Sequence, residues 1–553
     1  MSFAVKKVLQ ASQALAVHIS KPSSSVHGKK SHRMMMTTMM ARCLLPPLGK
    51  LQPWNWRQQR QVTMYQDQES VIDDMVGGMA SFAPVFPLKE ENVKVLETPS
   101  QFLEEVKEGI RNAKERVVLA SLYIGTGSLE IELLDVIADA LACNPSLQVT
   151  LLCDALRTTR PSQESSIDTS SAAMLARVLL SEDASWRKKM WGRSQEQLRI
   201  ALYHTPQLTE TLRWMLPARA REIVGVCHLK AFIFDNTLVL SGANLSTSYF
   251  THRQDRYLCF LNCNQLASHF CSLINIVASF SYTLDMDGKL KPCSVHFDPV
   301  REPASFWSEM ALSVTELFFP TSEPNVDKGF DTWVFPTVQM GPLGIRQDEE
   351  VLLWLLKQMP KGTDIHLSSP YFNLTPAYEA ALLEAANDKN VHILTASPKA
   401  NGFYGSKGIS GAIPRAYSLL EQSLYERAQL KNVQQRSQVF DASSTNGLSI
   451  YEYERKGWTF HAKGFWCSLP GEEEGPNVTL IGSSNFGYRS RDRDLEAQLW
   501  IFSKAPHLRQ QLERERDDLY VHSHRVNANV FVGDDRKGGL LASLAVRAVR
   551  TWL

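Results

Sequence analysis

Two histidines in this chain are each followed, two residues later, by a lysine. The pairs are His228-Leu229-Lys230 and His461-Ala462-Lys463, and both border apolar runs. In an extended chain, residues i and i+2 share a face, so each imidazole projects beside an ammonium group. A neutral imidazole nitrogen can attack phosphorus, and an ammonium can neutralise the oxygens on which charge develops. The two pairs therefore predict phosphodiester chemistry, with a nucleophile from one half-site and a proton donor from the other.

Further polar residues repeat after each pair. Asn244 and Asn485 follow a second apolar strand, Ser483 adds a hydroxyl donor, and Asp255 and Glu496 lie eleven residues after the two asparagines. We expect each carboxylate to orient a histidine and to select its tautomer. A single HxK pair is more often a surface feature, but the repetition of histidine, lysine, asparagine and carboxylate favours a catalytic set.

The first pair extends to Asp235, and the whole pattern resembles the two HxKxxxxD motifs of the phospholipase D superfamily, over nearly all of the chain after residue 66. Two departures stand out. Ser468 occupies the Asp position of the second motif. Ser241-Gly242 replaces the usual Gly-Ser of the first half, where Asn244 also lies one residue closer to its histidine.

The segments 228–235, 241–246, 253–257 and 397–405 resemble, more narrowly, the eukaryotic phosphatidylglycerophosphate synthase family, in which the second motif is also degenerate. The resemblance implies transfer of a phosphatidyl group from CDP-diacylglycerol to sn-glycerol 3-phosphate, the committed step of phosphatidylglycerol and cardiolipin synthesis. It implies no cofactor for the chemistry, although stimulation by a divalent metal is compatible with it. The implied catalytic residues are His228, Lys230, Asp235, His461 and Lys463. Because its motif is complete, His228 is expected to be the nucleophile, and His461 to assist the departure of CMP and the attack of the acceptor.

Two weaker patterns suggest anion sites. A glycine-containing turn between a strand and a helix could cradle phosphate, from the CDP group or from ATP, on backbone amides. A simple tight turn is the alternative for these residues: Ile124, Gly125, Thr126, Gly127, Ser128, Leu129, Glu130 and Ile131. Cations of the second half could bind the acceptor phosphate or could be solvated charges: Lys407, Arg489 and Arg491.

The elements that position these residues also repeat. A helix around Phe102–Ile110 precedes an apolar strand at 117–123, and a helix at 351–356 precedes a strand at 365–372. Each strand is followed by a further helix and strand. This alternation predicts an α/β fold of two phospholipase D-like repeats, each a mixed sheet flanked by helices, with the active site between them.

The predicted organisation starts with a mitochondrial transit peptide and basic segment, 1–66, which has no acidic residue. A disordered nucleic-acid-binding arm is the alternative for it. We expect a linker at 67–90, repeat 1 at 91–292, a surface connector at 293–345, repeat 2 at 346–525, and a C-terminal segment at 526–553. Residues 540–553 can form an amphipathic helix that docks on an anionic membrane or on the protein itself.

Composition limits the function further. A net charge of +1 argues against a nucleic-acid partner, and nine cysteines without a CxxC motif predict reduced thiols. No metal-ligand spacing occurs, so no protein-bound metal is expected. No apolar run is long enough to span a membrane, so we expect peripheral association with the matrix side of the inner mitochondrial membrane. The alternatives to the transferase are a phospholipase D-type hydrolase, acting on lipid or nucleic acid, and an inactive lipid-binding scaffold.

Overall fold

The structure is a computed structural model. It describes residues 68–161, 170–180, 197–292, 297–319, 329–406, 408–436, 447–471, 474–533, 536, 546 and 550–552. The predicted transit peptide lies outside these residues, as does most of the predicted amphipathic helix at 540–553.

The strands of the described residues form two large sheets and one small one. They are β1 (Phe86–Leu88), β2 (Val93–Leu96), β3 (Arg116–Ala120), β4 (Gln148–Asp154), β5 (Leu198–Tyr203), β6 (Ala231–Phe234), β7 (Thr237–Ser241), β8 (Arg253–Gln254), β9 (Tyr257–Phe260), β10 (Tyr282–Leu284), β11 (Leu290–Lys291), β12 (Thr332–Met340), β13 (Ile345–Arg346), β14 (Asp364–Ser368), β15 (Asn390–Ala396), β16 (Gly447–Tyr453), β17 (Thr459–Phe460), β18 (Gly464–Ser468), β19 (Val478–Gly482), β20 (Leu495–Ser503) and β21 (Ser523–Arg525).

The α-helices pack against the outer faces of the large sheets and against the core that the two sheets share. They are α1 (Gln68–Met79), α2 (Pro99–Asn112), α3 (Ser128–Cys143), α4 (Ala155–Thr158), α5 (Ser171–Leu175), α6 (Glu210–Met215), α7 (Ala218–Arg221), α8 (Thr247–Thr251), α9 (Asn264–Ser279), α10 (Pro303–Phe318), α11 (Gln347–Gln358), α12 (Pro376–Ala385), α13 (Ile413–Arg436), α14 (Tyr488–Asp492) and α15 (Pro506–Tyr520).

The two large sheets have the same topology at their centres. The first has the order β11-β10-β5-β4-β3-β6-β7-β9-β2, and the second β1-β12-β20-β19-β18-β14-β15-β16-β21 with β13 beside β12. In each, three parallel strands (β3 to β5, and β14 to β16) join an antiparallel meander (β6, β7 and β9, and β18 to β20). The predicted duplication of mixed sheets is therefore confirmed.

A shared core lies between the two sheets. Val118 and Ile233 of the first sheet belong to the same buried cluster as Val338 and Leu499 of the second. Separate clusters fill the outer faces, one beneath α2 and α3 and one beneath α11, α12 and α13. Burial of apolar side chains on both faces of each sheet explains why their central strands are continuous apolar runs.

The predicted surface connector at 293–345 is wrong in its second part, because 332–340 form the fully buried strand β12, paired along its whole length with β20. Pro336 misleads sequence interpretation, since proline lacks the amide that a central strand needs. In the structure, β1 pairs with β12 only at 332–334 and β13 only at 339–340. Pro336 therefore lies between them, where no neighbouring strand requires its amide.

The predicted linker at 67–90 is also part of the fold. Helix α1 contributes Ile72, Val76 and Met79 to the outer core of the second half, and β1 forms that sheet's edge. Its amphipathic pattern is short and lacks a capping signal, so it does not stand out before the packing is known.

Candidate active site

The two histidine-lysine pairs lie where the halves meet, directly before β6 and β18. The amide of His228 donates to the carbonyl of Leu495 over 2.9 Å, and the amide of His461 donates to that of Gln254 over 2.8 Å. Leu495 and Gln254 each stand immediately before one of the predicted carboxylates. Each motif is thus tied by its backbone to the opposite half of the molecule.

The carboxylates consequently orient the histidines across the two halves. Glu496 Oε2 lies 2.8 Å from His228 Nδ1, and Asp255 Oδ2 lies 2.6 Å from His461 Nδ1. Both carboxylates are buried. The expectation that each carboxylate orients a histidine is met in the structure, and each pairing joins one repeat to the other.

Burial keeps both imidazoles neutral. It lowers the pKa of His228, against the opposing charge of Glu496. Burial and the ammonium of Lys463 lower the pKa of His461 much further. Burial alone would raise the pKa of Glu496, but the hydrogen bonds from His228 and Ser483 and the charge of Lys230 counteract it, and that pKa is lowered. The tautomer that donates from Nδ1 to the carboxylate leaves each histidine a lone pair at Nε2.

The two lysines make the same contact in both halves. Lys230 Nζ donates to the carbonyl oxygen of His228 over 2.9 Å, and Lys463 Nζ to that of His461 over 2.5 Å. Burial lowers the pKa of Lys230 to about 8 and that of Lys463 to about 7. Both ammonium groups lie beside the imidazoles, and Lys463 Nζ is also 2.7 and 3.1 Å from Nδ1 and Nε2 of His461. In these positions they can neutralise the oxygens of a bound phosphodiester.

The Nε2 atoms of the histidines differ in their surroundings. Tyr249 Oη lies 3.2 Å from His461 Nε2 and accepts a hydrogen bond from Asn244 Nδ2 over 3.0 Å. Because the amide of Asn244 can only donate, the tyrosine proton points to His461. Among the described residues, His228 Nε2 has no such partner. The more available lone pair is that of His228.

Asp235, which was predicted to be catalytic, does not reach this site in the structure. Its carboxylate accepts from the backbone amides of Lys114, Glu115 and Arg116 at 2.7, 2.8 and 2.9 Å. It lies at the far end of β6, roughly 16 Å along the chain from Lys230 at the usual rise of a strand. The residue ties the β6–β7 turn to the start of β3, and Ser468, at the matching position of the second half, likewise lies at the far end of its strand, β18.

The other predicted supporting residues lie at the site but act mainly on protein groups. Ser483 Oγ bonds the backbone of Ala497, and Ser490 Oγ donates to Glu496 Oε1 over 2.7 Å. The buried side-chain oxygens of Asn244 and Asn485 have no hydrogen-bond partner among the described residues. Ser490, which sequence interpretation missed, helps to hold the carboxylate of Glu496.

The contacts of the glycine-containing turn at 124–131 favour a simple tight turn over a phosphate-binding site. Glu130 folds back over it and accepts from Thr247 Oγ1 over 2.8 Å. A Cβ atom added at Gly125 or Gly127 would overlap that carboxylate, at 2.3 or 2.7 Å. The glycines therefore admit a carboxylate of the protein, whose charge would repel a phosphate.

The cations that were predicted to bind the acceptor phosphate do not form one group among the described residues. Arg489 is ion-paired with Asp494, with Nη2 and Oδ1 3.3 Å apart, and its charge affects the pKa of Tyr371 at the site. Arg491 pairs with Asp492 over 2.7 Å and stacks on Tyr488. Lys407 lies outside the described residues. The structure brings only Arg489 of the described pair close to the site.

Metal-binding potential lies elsewhere. In the part of the chain that the structure describes, one group of side chains could hold an ion: Asp364, His366 and His392. These residues lie on β14 and β15, and His366 faces Trp466, which is roughly 10 Å along the chain from Lys463. The cysteines of the described residues are free thiols, as expected.

Tyr249 and Arg253 line the His461 side of the site and were missed by sequence interpretation. Tyr249 lies five residues after Asn244, and Ser490 lies five after Asn485, so the duplicated spacing contained a signal. The residue types differ between the halves, however, and only the contacts show that both positions serve the site.

These features define a two-repeat, phospholipase D-like enzyme site with paired, carboxylate-oriented histidines. Residues 355–519 match a family model described as cardiolipin synthase, PLD-like domain. The fold is similar to that of phosphatidylserine synthase from Haemophilus influenzae, with a TM-score of 0.66, 21% identity, and coverage of 88% of this chain and 100% of the other.

Relatives in sequence identify the family. A mouse protein named mitochondrial CDP-diacylglycerol–glycerol-3-phosphate 3-phosphatidyltransferase is 36% identical, with 85% of each chain covered. A Dictyostelium discoideum protein named as a probable enzyme of this activity is 35% identical, over 86% of this chain and 80% of the relative. The chain belongs to the CDP-diacylglycerol–glycerol-3-phosphate 3-phosphatidyltransferase family.

Proposed function

We propose that the chain transfers the phosphatidyl group of CDP-diacylglycerol to sn-glycerol 3-phosphate, giving phosphatidylglycerophosphate and CMP. One observation carries the proposal. In this member of the family, each of the two neutral histidines is oriented by a carboxylate from the other repeat. The product lies on the route to phosphatidylglycerol and cardiolipin, in agreement with the family model that matches the second half.

In the first step, His228 Nε2 attacks the phosphorus that bears the diacylglycerol. A P–N bond forms, the P–O bond to CMP breaks, and CMP leaves with the electron pair. The predicted reason for choosing His228, a complete motif, no longer holds, because Asp235 is structural. The available lone pair at its Nε2 replaces that reason, and Glu496 stabilises the positive charge that develops on its ring.

In the second step, the hydroxyl of glycerol 3-phosphate attacks the phosphatidyl-histidine. His461 Nε2 takes the hydroxyl proton, the new P–O bond forms, and the P–N bond breaks to restore neutral His228. The neutral state of His461 suits a base, and Tyr249 Oη, 3.2 Å from its Nε2, already lies where a hydroxyl proton must come. Lys230 and Lys463 neutralise the phosphoryl oxygens in both steps.

The setting we propose is the mitochondrion, on the matrix side of the inner membrane, by peripheral attachment. The mouse, chicken and human relatives are named as mitochondrial. In the described residues, no helix is both long and apolar enough to cross a membrane. The diacylglycerol chains of the substrate require the site to work at a lipid surface.

The test is incubation of the purified chain with CDP-diacylglycerol, with and without glycerol 3-phosphate, followed by identification of lipid products. We expect phosphatidylglycerophosphate only when the acceptor is present. Phosphatidic acid as the sole product would replace the proposal with hydrolysis, and absence of any product would indicate a scaffold. The control is His228→Ala, which should lose turnover and keep its circular dichroism spectrum; full activity in that variant would contradict the mechanism.

A further inference from the structure

Arg253 stands at the junction of the two half-sites. It begins β8, which pairs in parallel with β17, the strand that ends directly before His461. Arg253 lies two residues before Asp255, and alternate residues of an extended strand share a face. The guanidinium therefore lies on the same side as the carboxylate that orients His461, and its charge is one of the influences that lower the pKa of that histidine, after burial and Lys463.

The guanidinium is held firmly but has no acidic partner. Its Nε donates to Thr459 Oγ1 over 3.0 Å, and its Cζ lies 4.5 Å from the ring centroid of Tyr249. Within the described chain, no carboxylate lies at ion-pair distance from Arg253. The neighbouring Arg256, by contrast, forms two hydrogen bonds with Glu515, at 2.7 and 2.8 Å. Besides its interactions with Thr459 and Tyr249, the guanidinium has further donors for an anion that the described residues do not supply.

The matching position of the second half carries the opposite charge. Arg253 lies nine residues after Asn244, and Asp494 lies nine after Asn485. Asp494 is buried and ion-paired with Arg489. The site is therefore electrostatically asymmetric, with a cation without an acidic partner on the His461 side and a neutralised ion pair on the His228 side.

The space beside Arg253 is left open by a glycine. A Cβ atom added at Gly402 would lie 3.4 Å from Arg253 Nη2 and 3.7 Å from Tyr371 Oη. Gly402 does not have a positive φ, so its backbone does not itself require glycine. The missing side chain instead leaves room next to the guanidinium. Tyr371 borders this space and His461, with ring centroids 5.8 Å apart.

We propose that Arg253, Gly402 and Tyr371 form a subsite for a phosphate monoester dianion on the His461 side of the reacting phosphorus. The inference rests on the proposed function, in which two such groups come to this side: the phosphate of CMP as it leaves and the phosphate of glycerol 3-phosphate as it arrives. In-line displacement places the leaving oxygen of CMP and the attacking hydroxyl of glycerol 3-phosphate opposite to His228, so each molecule brings its phosphate to this side. A planar guanidinium offers two parallel donors to such a group.

The experiment compares wild-type protein with Arg253→Gln, Arg253→Lys and Gly402→Ala, using either glycerol 3-phosphate or phosphate-free glycerol as acceptor. We expect Arg253→Gln to raise the KM for glycerol 3-phosphate about 10- to 100-fold, as loss of charge-assisted hydrogen bonds does. The rate with glycerol should fall much less than the rate with glycerol 3-phosphate, Arg253→Lys should be intermediate, and Gly402→Ala should resemble Arg253→Gln. The exposed Arg525→Gln is the matched control and should behave as wild type.

Two further measurements distinguish the sources of the phosphate. If the subsite holds CMP, the inhibition constant of CMP rises in Arg253→Gln, whereas the KM for glycerol 3-phosphate does not. An unchanged KM together with unchanged CMP inhibition overturns the subsite, and so does equal loss of activity with both acceptors. Thermal stabilisation of the protein by glycerol 3-phosphate or by CMP, present in wild type and absent in Arg253→Gln, tests the subsite even if no transferase activity is found; stabilisation equal in both proteins contradicts it.

Discussion

A neutral histidine can act as a nucleophile or a base only if one tautomer is selected, and here the selection crosses between the repeats. Glu496 holds Nδ1 of His228, and Asp255 holds Nδ1 of His461. In the mechanism that we propose, each carboxylate supports one chemical step: Glu496 the formation of the phosphatidyl-histidine, and Asp255 its transfer to the acceptor. Loss of either should reveal which step depends on it.

We predict that Glu496→Gln and Asp255→Asn slow different steps of the reaction. An amide can mis-select the tautomer, so each variant should lose roughly 10²- to 10⁴-fold in kcat. Glu496→Gln should slow the formation of the adduct, whereas Asp255→Asn should accumulate lipid on His228, because its second step lacks an oriented base. Mass spectrometry of rapidly quenched protein measures both. Adduct on His461 would reverse the roles of the two histidines.

We predict that Tyr249→Phe reduces kcat about tenfold without raising the KM for CDP-diacylglycerol. The variant keeps the ring beneath Arg253 but loses the hydroxyl that bonds His461 Nε2 and Asn244, a loss worth on the order of 1 kcal/mol. Steady-state kinetics at varied lipid concentration measure the effect. A rise in KM with constant kcat would show that Tyr249 binds substrate instead of positioning His461.

At the scale of the secondary-structure elements, the positions of the strand ends determine which side chains come into contact at the site. Strands β8 and β17 are only two residues long, yet their parallel pairing places Asp255 against His461. The turn between β6 and β7 stabilises the fold instead, because Asp235, at φ 48°, fastens it to the start of β3 with three backbone hydrogen bonds. The acidic residue that completes the motif in sequence therefore acts at a distance from the chemistry.

We predict that Asp235→Asn lowers the free energy of unfolding by about 1–3 kcal/mol and leaves kcat/KM unchanged at 25 °C. Asparagine tolerates the positive φ and keeps one side-chain oxygen, so the change removes the carboxylate charge and one of the two oxygens that accept from the three amides. Chemical denaturation and steady-state assays measure the two effects. As a control, Ser468→Asp restores the motif of the second half and should not raise activity. Lost activity in a stably folded Asp235→Asn would restore a catalytic role for Asp235.

At the scale of the whole molecule, the two halves together bury the site, and this burial determines the pH range in which we expect the site to be active. Burial raises the pKa of Asp255 to about 6, despite the lowering effect of Lys463. The same burial lowers the pKa of Lys463 to about 7 and that of Lys230 to about 8. The mechanism that we propose needs an ionised Asp255 and protonated lysines, so its active state is favoured in the interval between these values.

We predict a bell-shaped profile of kcat/KM against pH. Activity should fall below about pH 6 as Asp255 gains a proton, and above about pH 7 to 8 as the lysines lose theirs. Lys463→Arg keeps its charge at all these pH values and should move the alkaline limb upward, whatever its effect on the maximum. An alkaline limb that stays in place in this variant would mean that Lys463 does not determine it.

The sequence by itself determined the duplication, the α/β class and the two sets of catalytic residue types, because these depend on local periodicity and on spacing that is repeated within one chain. The tertiary structure decided which of those residues act together. It placed Glu496 on His228 and Asp255 on His461, removed Asp235 from the site, and drew β12 into the second sheet despite Pro336. It also showed where the halves differ: Tyr249 and Arg253 accompany His461, while Ser490 and Asp494 accompany His228. Contacts between residues more than 200 positions apart arise only when the two sheets pack, so no local pattern could reveal them.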